Sequence, residues 1–146
     1  MTKIDVAHAL DQTLSDLITL DLVVRQARGN LVGMRLHRSH LLLDQLADVA
    51  RESAKGIAAR SMTLGHKTDL WADTATRKNA LRSVDVKPLR ESDAIAAFEN
   101  LLETITTRLH VNIDVSARDL VTQGLLIRLA DRIENLAWMM HLRAAA

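Results

Sequence analysis

The sequence predicts an all-α fold in which a single domain, residues 1–146, forms a bundle of four long helices. Apolar residues recur at intervals of three and four in four long stretches, which is the period of an amphipathic helix. Hydrophobic residues make up 48% of the chain but aromatic residues only 2%, so the core must consist of aliphatic side chains that suit closely packed helices. A length of 146 residues leaves little room for a second domain.

The first two helices are predicted on either side of a short loop. The first extends from about Lys3 to Arg28, and Asn30 and Gly33 then interrupt its apolar pattern. The second extends from about Arg35 to Leu64. Gly65 is its natural C-terminal stop, because glycine readily adopts the left-handed conformation that ends many helices.

The last two helices are predicted in the C-terminal third of the chain. The third begins near Ser92 or Asp93 and ends at about Ala117, and the fourth begins near Asp119 or Leu120 and ends at about Arg143. Leucine and isoleucine recur on one face of each. These two helices therefore complete the bundle.

The connection between the second and third helices is the long one. Its apolar pattern is weak, and residues 69–77, around Trp71, could form a short helix. The segment VDVKPL is predicted as a loop, because Pro88 disfavours a helical conformation at Lys87. The arrangement is thus a four-helix bundle with one long crossover.

Composition and charge exclude several classes of protein. The chain has no cysteine, which excludes disulfides and thiolate metal sites and is consistent with a reducing cytoplasm. No signal-peptide pattern is found at its start, and no apolar run is long enough to span a bilayer. The formal net charge of +1 gives no reason by itself to expect nucleic-acid binding. We therefore expect a cytoplasmic protein without a membrane partner.

The stretch from residue 25 to 60 carries a recognisable pattern, RQARGNLVGMRLHRSHLLLDQLADVARESAKGIAAR. Its spacing resembles the signature of the Dps family, small ferritin-like proteins that protect bacterial DNA against iron and peroxide. In that family a Q-A-H-W-N segment is followed by Gly, then by L-H-x-x-x-D and D-x-x-x-E-R. The last helix also resembles the family's, with Thr122 and Trp138 at matching positions. The resemblance implies a ferritin-like bundle with a short cross-helix, assembled into a dodecameric cage.

The resemblance also implies an iron site shared by two subunits, with two His and one Asp on one side and an Asp and a Glu on the other. His40 and Asp44 keep two of these ligands, whereas Arg28, Lys55 and Ala59 replace the other three. Imidazole and carboxylate donors suit iron, and two of the replacements are cations that repel it. We therefore expect that the family's ferroxidase activity is largely lost, and that Lys55 pairs with Asp44 across the interface.

Two further candidate sites have plain structural alternatives. His37, His40 and Asp44 share one helical stripe and could hold zinc or iron. Three ligands from one helix rarely converge on a metal without a fourth group, so we favour the alternative in which His37 faces solvent or another subunit. Asp119, with Asp114, is a candidate for the acidic pore of the family's cages. The alternative is that Asp119 caps the fourth helix.

The sequence predicts a Dps-like cage subunit that sequesters iron and protects DNA without the usual oxidation site. The alternative is a non-catalytic structural or DNA-compacting cage protein, or a co-assembling partner of a complete Dps. Apolar residues at 17–24 and 41–43 favour assembly with further copies. Iron binding is expected to be weak or absent at the family site, and no cofactor is required. The chain has no basic tail beyond Lys3 and Arg143, which argues against strong DNA binding. DNA binding and nucleoid association stay open, because a cage multiplies weak basic patches by avidity.

Overall fold

Four long helices and two very short strands make up the described part of the chain. The computed structural model describes residues 3–32, 36–67 and 89–145, and the side chains of 5–30, 38–67 and 90–145. In chain order the elements are α1 (Lys3–Asn30), β1 (Leu31–Val32), α2 (Leu36–Thr63), β2 (Leu89–Arg90), α3 (Glu91–Val115) and α4 (Leu120–Ala145).

The four predicted helices are confirmed, and their described ends differ from the prediction by no more than two residues. The predicted cross-helix at 69–77 lies outside the described residues. The two strands are absent from the prediction: Leu31 pairs with Leu89, and Val32 with Arg90, in parallel. This pairing places the end of α1 beside the start of α3.

The core lies between the four helices and is almost entirely aliphatic. α1 packs against α2 and α3, and α4 packs against α3 and α2. The largest fully buried side chains are Leu10, Leu17, Leu20, Val24, Leu46, Phe98, Leu102, Ile105, Leu109, Leu126, Ile133 and Met140. The chain's single phenylalanine therefore lies at the centre of a core built mainly of leucine and isoleucine.

The C-terminal end of α2 confirms the predicted glycine stop. Gly65 has a φ of 80°, its N–H donates to the carbonyl of Met62 at 2.9 Å, and the N–H of His66 donates to Ser61 at 2.9 Å. This pair of hydrogen bonds is the Schellman motif, which requires a left-handed residue after the helix. Glycine adopts that conformation without the steric cost that a side chain would add.

A polar cluster lies between α1 and α3 and interrupts the apolar core. Asp16, only 3% exposed, accepts a hydrogen bond from Arg108 Nη1 at 2.7 Å. One turn away, Asn112 Nδ2 donates to Gln12 Oε1 at 3.0 Å and contacts Thr13 Oγ1 at 3.3 Å. Buried polar groups are tolerated only when they are paired, so these contacts fix the register of α1 against α3.

The apolar residues predicted to favour contact with further copies are mostly buried within the chain itself. In the segments 17–24 and 41–43, only Leu22 and Leu41 are exposed, by 37% and 49%. The remaining leucines and valines of these segments pack into the bundle core, so that part of the prediction was wrong. Larger exposed apolar side chains occur elsewhere, at Met62, Leu120 and Trp138. None of the described helices is long and apolar enough to cross a membrane.

Candidate metal centre

Arg28 and Asp44 form an ion pair within one chain. Arg28 lies in the last turn of α1, and Asp44 lies opposite it on α2. The guanidinium Nε is 2.6 Å from Asp44 Oδ1, and Nη2 donates to Oδ2 at 3.3 Å. Both carboxylate oxygens are therefore engaged by one guanidinium. Because the two side chains are 46% and 47% exposed, the pair adds less than about 1 kcal/mol to stability. Its consequence is that the carboxylate of Asp44, a retained ligand position, is bound to a guanidinium.

His40 lies one helical turn before Asp44, on the same side of α2. Its Nε2 is buried and has no hydrogen-bond partner among the described residues, which is unfavourable for an imidazole nitrogen. The structure thus places the two retained ligand residues near each other, but the carboxylate is already bound to Arg28. The backbone of His37 belongs to α2, while its side chain lies outside the described ones.

The other two replacement positions lie further along α2. Lys55 and Ala59 are one turn apart and exposed, and Lys55 makes no ion pair with any described side chain. Lys55 follows Asp44 by eleven residues, about 16 Å along the helix, so it does not reach Asp44 of its own chain. Its pairing with Asp44 across an interface stays a prediction.

The remaining carboxylates near this end of the α1–α2 seam are also paired with arginines. Asp21 contacts Arg25 at 2.6 Å and Arg51 at 3.6 Å, and Arg51 contacts Asp48 at 3.0 Å. Metal binding would have to compete with these cations. Within residues 5–30, 38–67 and 90–145, no group of three or more His, Cys, Asp or Glu side chains could hold a metal ion.

Asp119 caps the N-terminus of α4. Its Oδ1 accepts hydrogen bonds from the Thr122 N–H at 3.1 Å and from Arg60 Nη2 at 2.9 Å, and its Oδ2 accepts one from the Thr122 hydroxyl at 2.6 Å. Burial raises the pKa of Asp119, but the hydrogen bonds from Thr122 and the Arg60 guanidinium outweigh it and leave the pKa below its ordinary value. The cap is thus present, whereas a pore role for Asp119 and the exposed Asp114 stays a prediction.

We expect that Asp119→Asn lowers the free energy of unfolding by about 1–2 kcal/mol at pH 7, because the cap and its ion pair are weakened. The lowered pKa means that the ionised carboxylate stabilises the fold above its ordinary pKa, and that this contribution disappears as pH falls through the folded-state pKa. Urea unfolding at pH 7 and near pH 3 measures both effects. A difference between variant and wild type that does not shrink in acid would contradict the assignment.

Comparisons with known proteins agree with the four-helix fold. The sequence model of the ferritin-like domain matches residues 7–144. Over 135 residues the chain is 29% identical to DNA protection during starvation protein 2 of Deinococcus radiodurans, covering 92% of this chain and 56% of that protein. The chain therefore spans little more than half the length of this relative.

Solved structures give the same result. A Dps protein of D. radiodurans is 28% identical with a TM-score of 0.89, covering 94% of this chain and 84% of that one. An N-terminal deletion mutant of Mycobacterium smegmatis Dps is 26% identical with a TM-score of 0.90, covering 97% of both chains. The chain belongs to the Dps family of ferritin-like proteins. In fold alone it is also similar to Dps from Staphylococcus aureus, with a TM-score of 0.92 at 14% identity over 98% of this chain and 97% of that one.

Proposed function

We propose that this Dps-family chain is a cage subunit that sequesters iron and protects DNA, and that an ion pair has replaced its inter-subunit iron-oxidation site. The observation that carries the proposal is the two-point contact of Arg28 with Asp44. A metal ion could reach this carboxylate only by displacing a guanidinium that is always charged. The similarity to a protein named for DNA protection supports the protective role.

The charge of the site supports the loss of iron oxidation. Three carboxylates at the family's ligand positions would give a charge of −3, whereas Arg28, Asp44 and Lys55 together give +1. At about 6 Å and an effective dielectric constant of about 20, each added positive charge repels each charge of the ion by about 3 kcal/mol. Ferrous iron therefore loses three of the five family ligands, and the site no longer attracts it electrostatically.

We infer that Lys55 of the partner subunit takes the place of the metal beside Asp44. Lys55 is exposed and has no ion pair among the described side chains, and Asp44 is about half exposed. Assembly into a homo-oligomer is supported by large apolar side chains left at the surface, with Met62 67%, Leu120 74% and Trp138 58% exposed. Contact between copies would remove these side chains from water.

Anaerobic ferrous titration of the assembled protein, followed by peroxide, tests the proposal. We expect ferric absorbance to rise no faster than in a protein-free control, and some iron to remain with the protein after gel filtration. Rapid oxidation in a fixed ratio of iron to subunit would refute the loss of the site. Iron that is not retained at all would refute sequestration.

The second candidate is a structural or DNA-compacting cage, or a co-assembling partner of a complete Dps. Several exposed arginines, Arg90, Arg118 and Arg128, make no ion pair within the described part of the chain and could contact phosphates. A gel-shift assay at increasing salt distinguishes this role, because phosphate contacts weaken steeply as salt rises. Retarded DNA together with no retained iron would favour this candidate over the first.

A further inference from the structure

A groove of about 210 Å³ lies between α2 and α4, away from the Arg28–Asp44 pair. Its α2 wall includes Ser53, Gly56 and Ile57, and its α4 wall includes Arg128 and Arg132. A Cβ atom placed on Gly56 would meet nothing within 4 Å, so the groove is open above this glycine. The missing side chain of Gly56 leaves room for a small ligand beside the two arginines.

The two arginines of the groove are unequally neutralised. Arg128 and Arg132 are four residues apart on α4, where like charges repel. Arg132 Nη2 lies 2.9 Å from Glu52 Oε2 on the other wall, whereas Arg128 makes no ion pair within residues 5–30, 38–67 and 90–145. The groove therefore carries one positive charge that the described chain does not compensate.

We propose that this groove binds a phosphate group, either as inorganic phosphate or at the end of a small phosphomonoester. Guanidinium groups offer paired N–H donors that match phosphate oxygens, and the hydroxyl of Ser53 offers another donor. Ile57 and Leu129 supply an apolar wall that would pack against the organic part of an ester. The proposal uses none of the candidate iron ligands and is independent of the proposed iron chemistry.

Glu52 is the group that an anion would have to displace or bind beside. Its side chain is 65% exposed, and that of Arg132 is 46% exposed. Exposed pairs of this kind hold their geometry weakly, so the carboxylate can turn away into water. Glu52 thus competes with the ligand for Arg132, and its removal should favour binding.

The test is a calorimetric titration of the full chain with inorganic phosphate and, separately, with phenyl phosphate, both at constant ionic strength. We expect saturable binding that weakens at least about tenfold in Arg128→Gln, because one charge-assisted contact is lost. Gly56→Leu should weaken it by filling the groove, and Glu52→Gln should strengthen it. Arg118→Gln, at an exposed arginine in the turn before α4 that does not line the groove, is the control that should bind like wild type.

Circular dichroism confirms that each variant keeps its helices before it is titrated. Tighter binding of phenyl phosphate than of inorganic phosphate would identify an ester as the natural ligand, and equal binding would identify free phosphate. No saturable binding in wild type would overturn the proposal. Equal binding by the Arg128→Gln and Arg118→Gln variants would also overturn it, because the heat would then come from general surface charge.

Discussion

A triple variant, Arg28→His with Lys55→Asp and Ala59→Glu, is expected to bind ferrous iron at least about 100-fold more tightly than wild type. Removing a residue that only orients a metal ligand already lowers metal affinity by about 10–100-fold, so restoring three ligands should have at least the larger effect. The substitutions restore the family's ligand set around His40 and Asp44. They also free both oxygens of Asp44, which Arg28 otherwise engages. Peroxide should then produce rapid ferric absorbance that wild type lacks.

The order in which activity returns tests the role of each replacement. Arg28→His alone should free Asp44 but leave the opposite side of the shared site without carboxylates. The double variant Lys55→Asp with Ala59→Glu, which keeps Arg28, should oxidise iron equally slowly, because the ion pair of Arg28 with Asp44 persists. Only the triple variant should oxidise iron rapidly.

A matched control separates ligand geometry from net charge. Arg118→His, Lys67→Asp and Ala117→Glu are the same three substitutions at exposed positions outside the candidate site. This control changes the formal charge equally and should not accelerate oxidation. A restored triple variant no faster than this control would mean that the two halves of the site do not meet as the family resemblance implies.

The helices were predictable because they depend on local periodicity, and Gly65 was predictable because a helix stop needs a left-handed residue. The β1–β2 pairing was not, because two-residue strands have no period of their own and depend on contacts far along the chain. The pairing of Arg28 with Asp44 is a different case. The resemblance places Arg28 and Asp44 in the same half of the shared site, which makes Arg28 a possible partner within the chain, whereas the sequence analysis predicts Lys55 as the partner of Asp44.

The buried polar cluster could not be predicted from spacing. Asp16, Arg108 and Asn112 are residue types that usually lie at the surface, and nothing in the sequence shows that α1 and α3 bring them together across the bundle. The relevant signal is a three-dimensional one: polar residues on the inward faces of two helices that are distant in sequence. The stability of the cluster depends on pairing, because a buried polar group is unfavourable without its partner.

We expect Arg108→Met to lower the free energy of unfolding by about 3–5 kcal/mol, because it removes the guanidinium that pairs with the buried Asp16 carboxylate. Asp16→Asn combined with Arg108→Met should cost less than the sum of the two single changes, since an uncharged amide is easier to bury. Urea unfolding measures all three variants. Arg132→Met, which breaks the exposed pair with Glu52, is the control and should cost no more than about 1 kcal/mol. If Arg108→Met cost no more than this control, the buried pair would contribute only its packing, and the register of α1 against α3 would have to come from the aliphatic core alone.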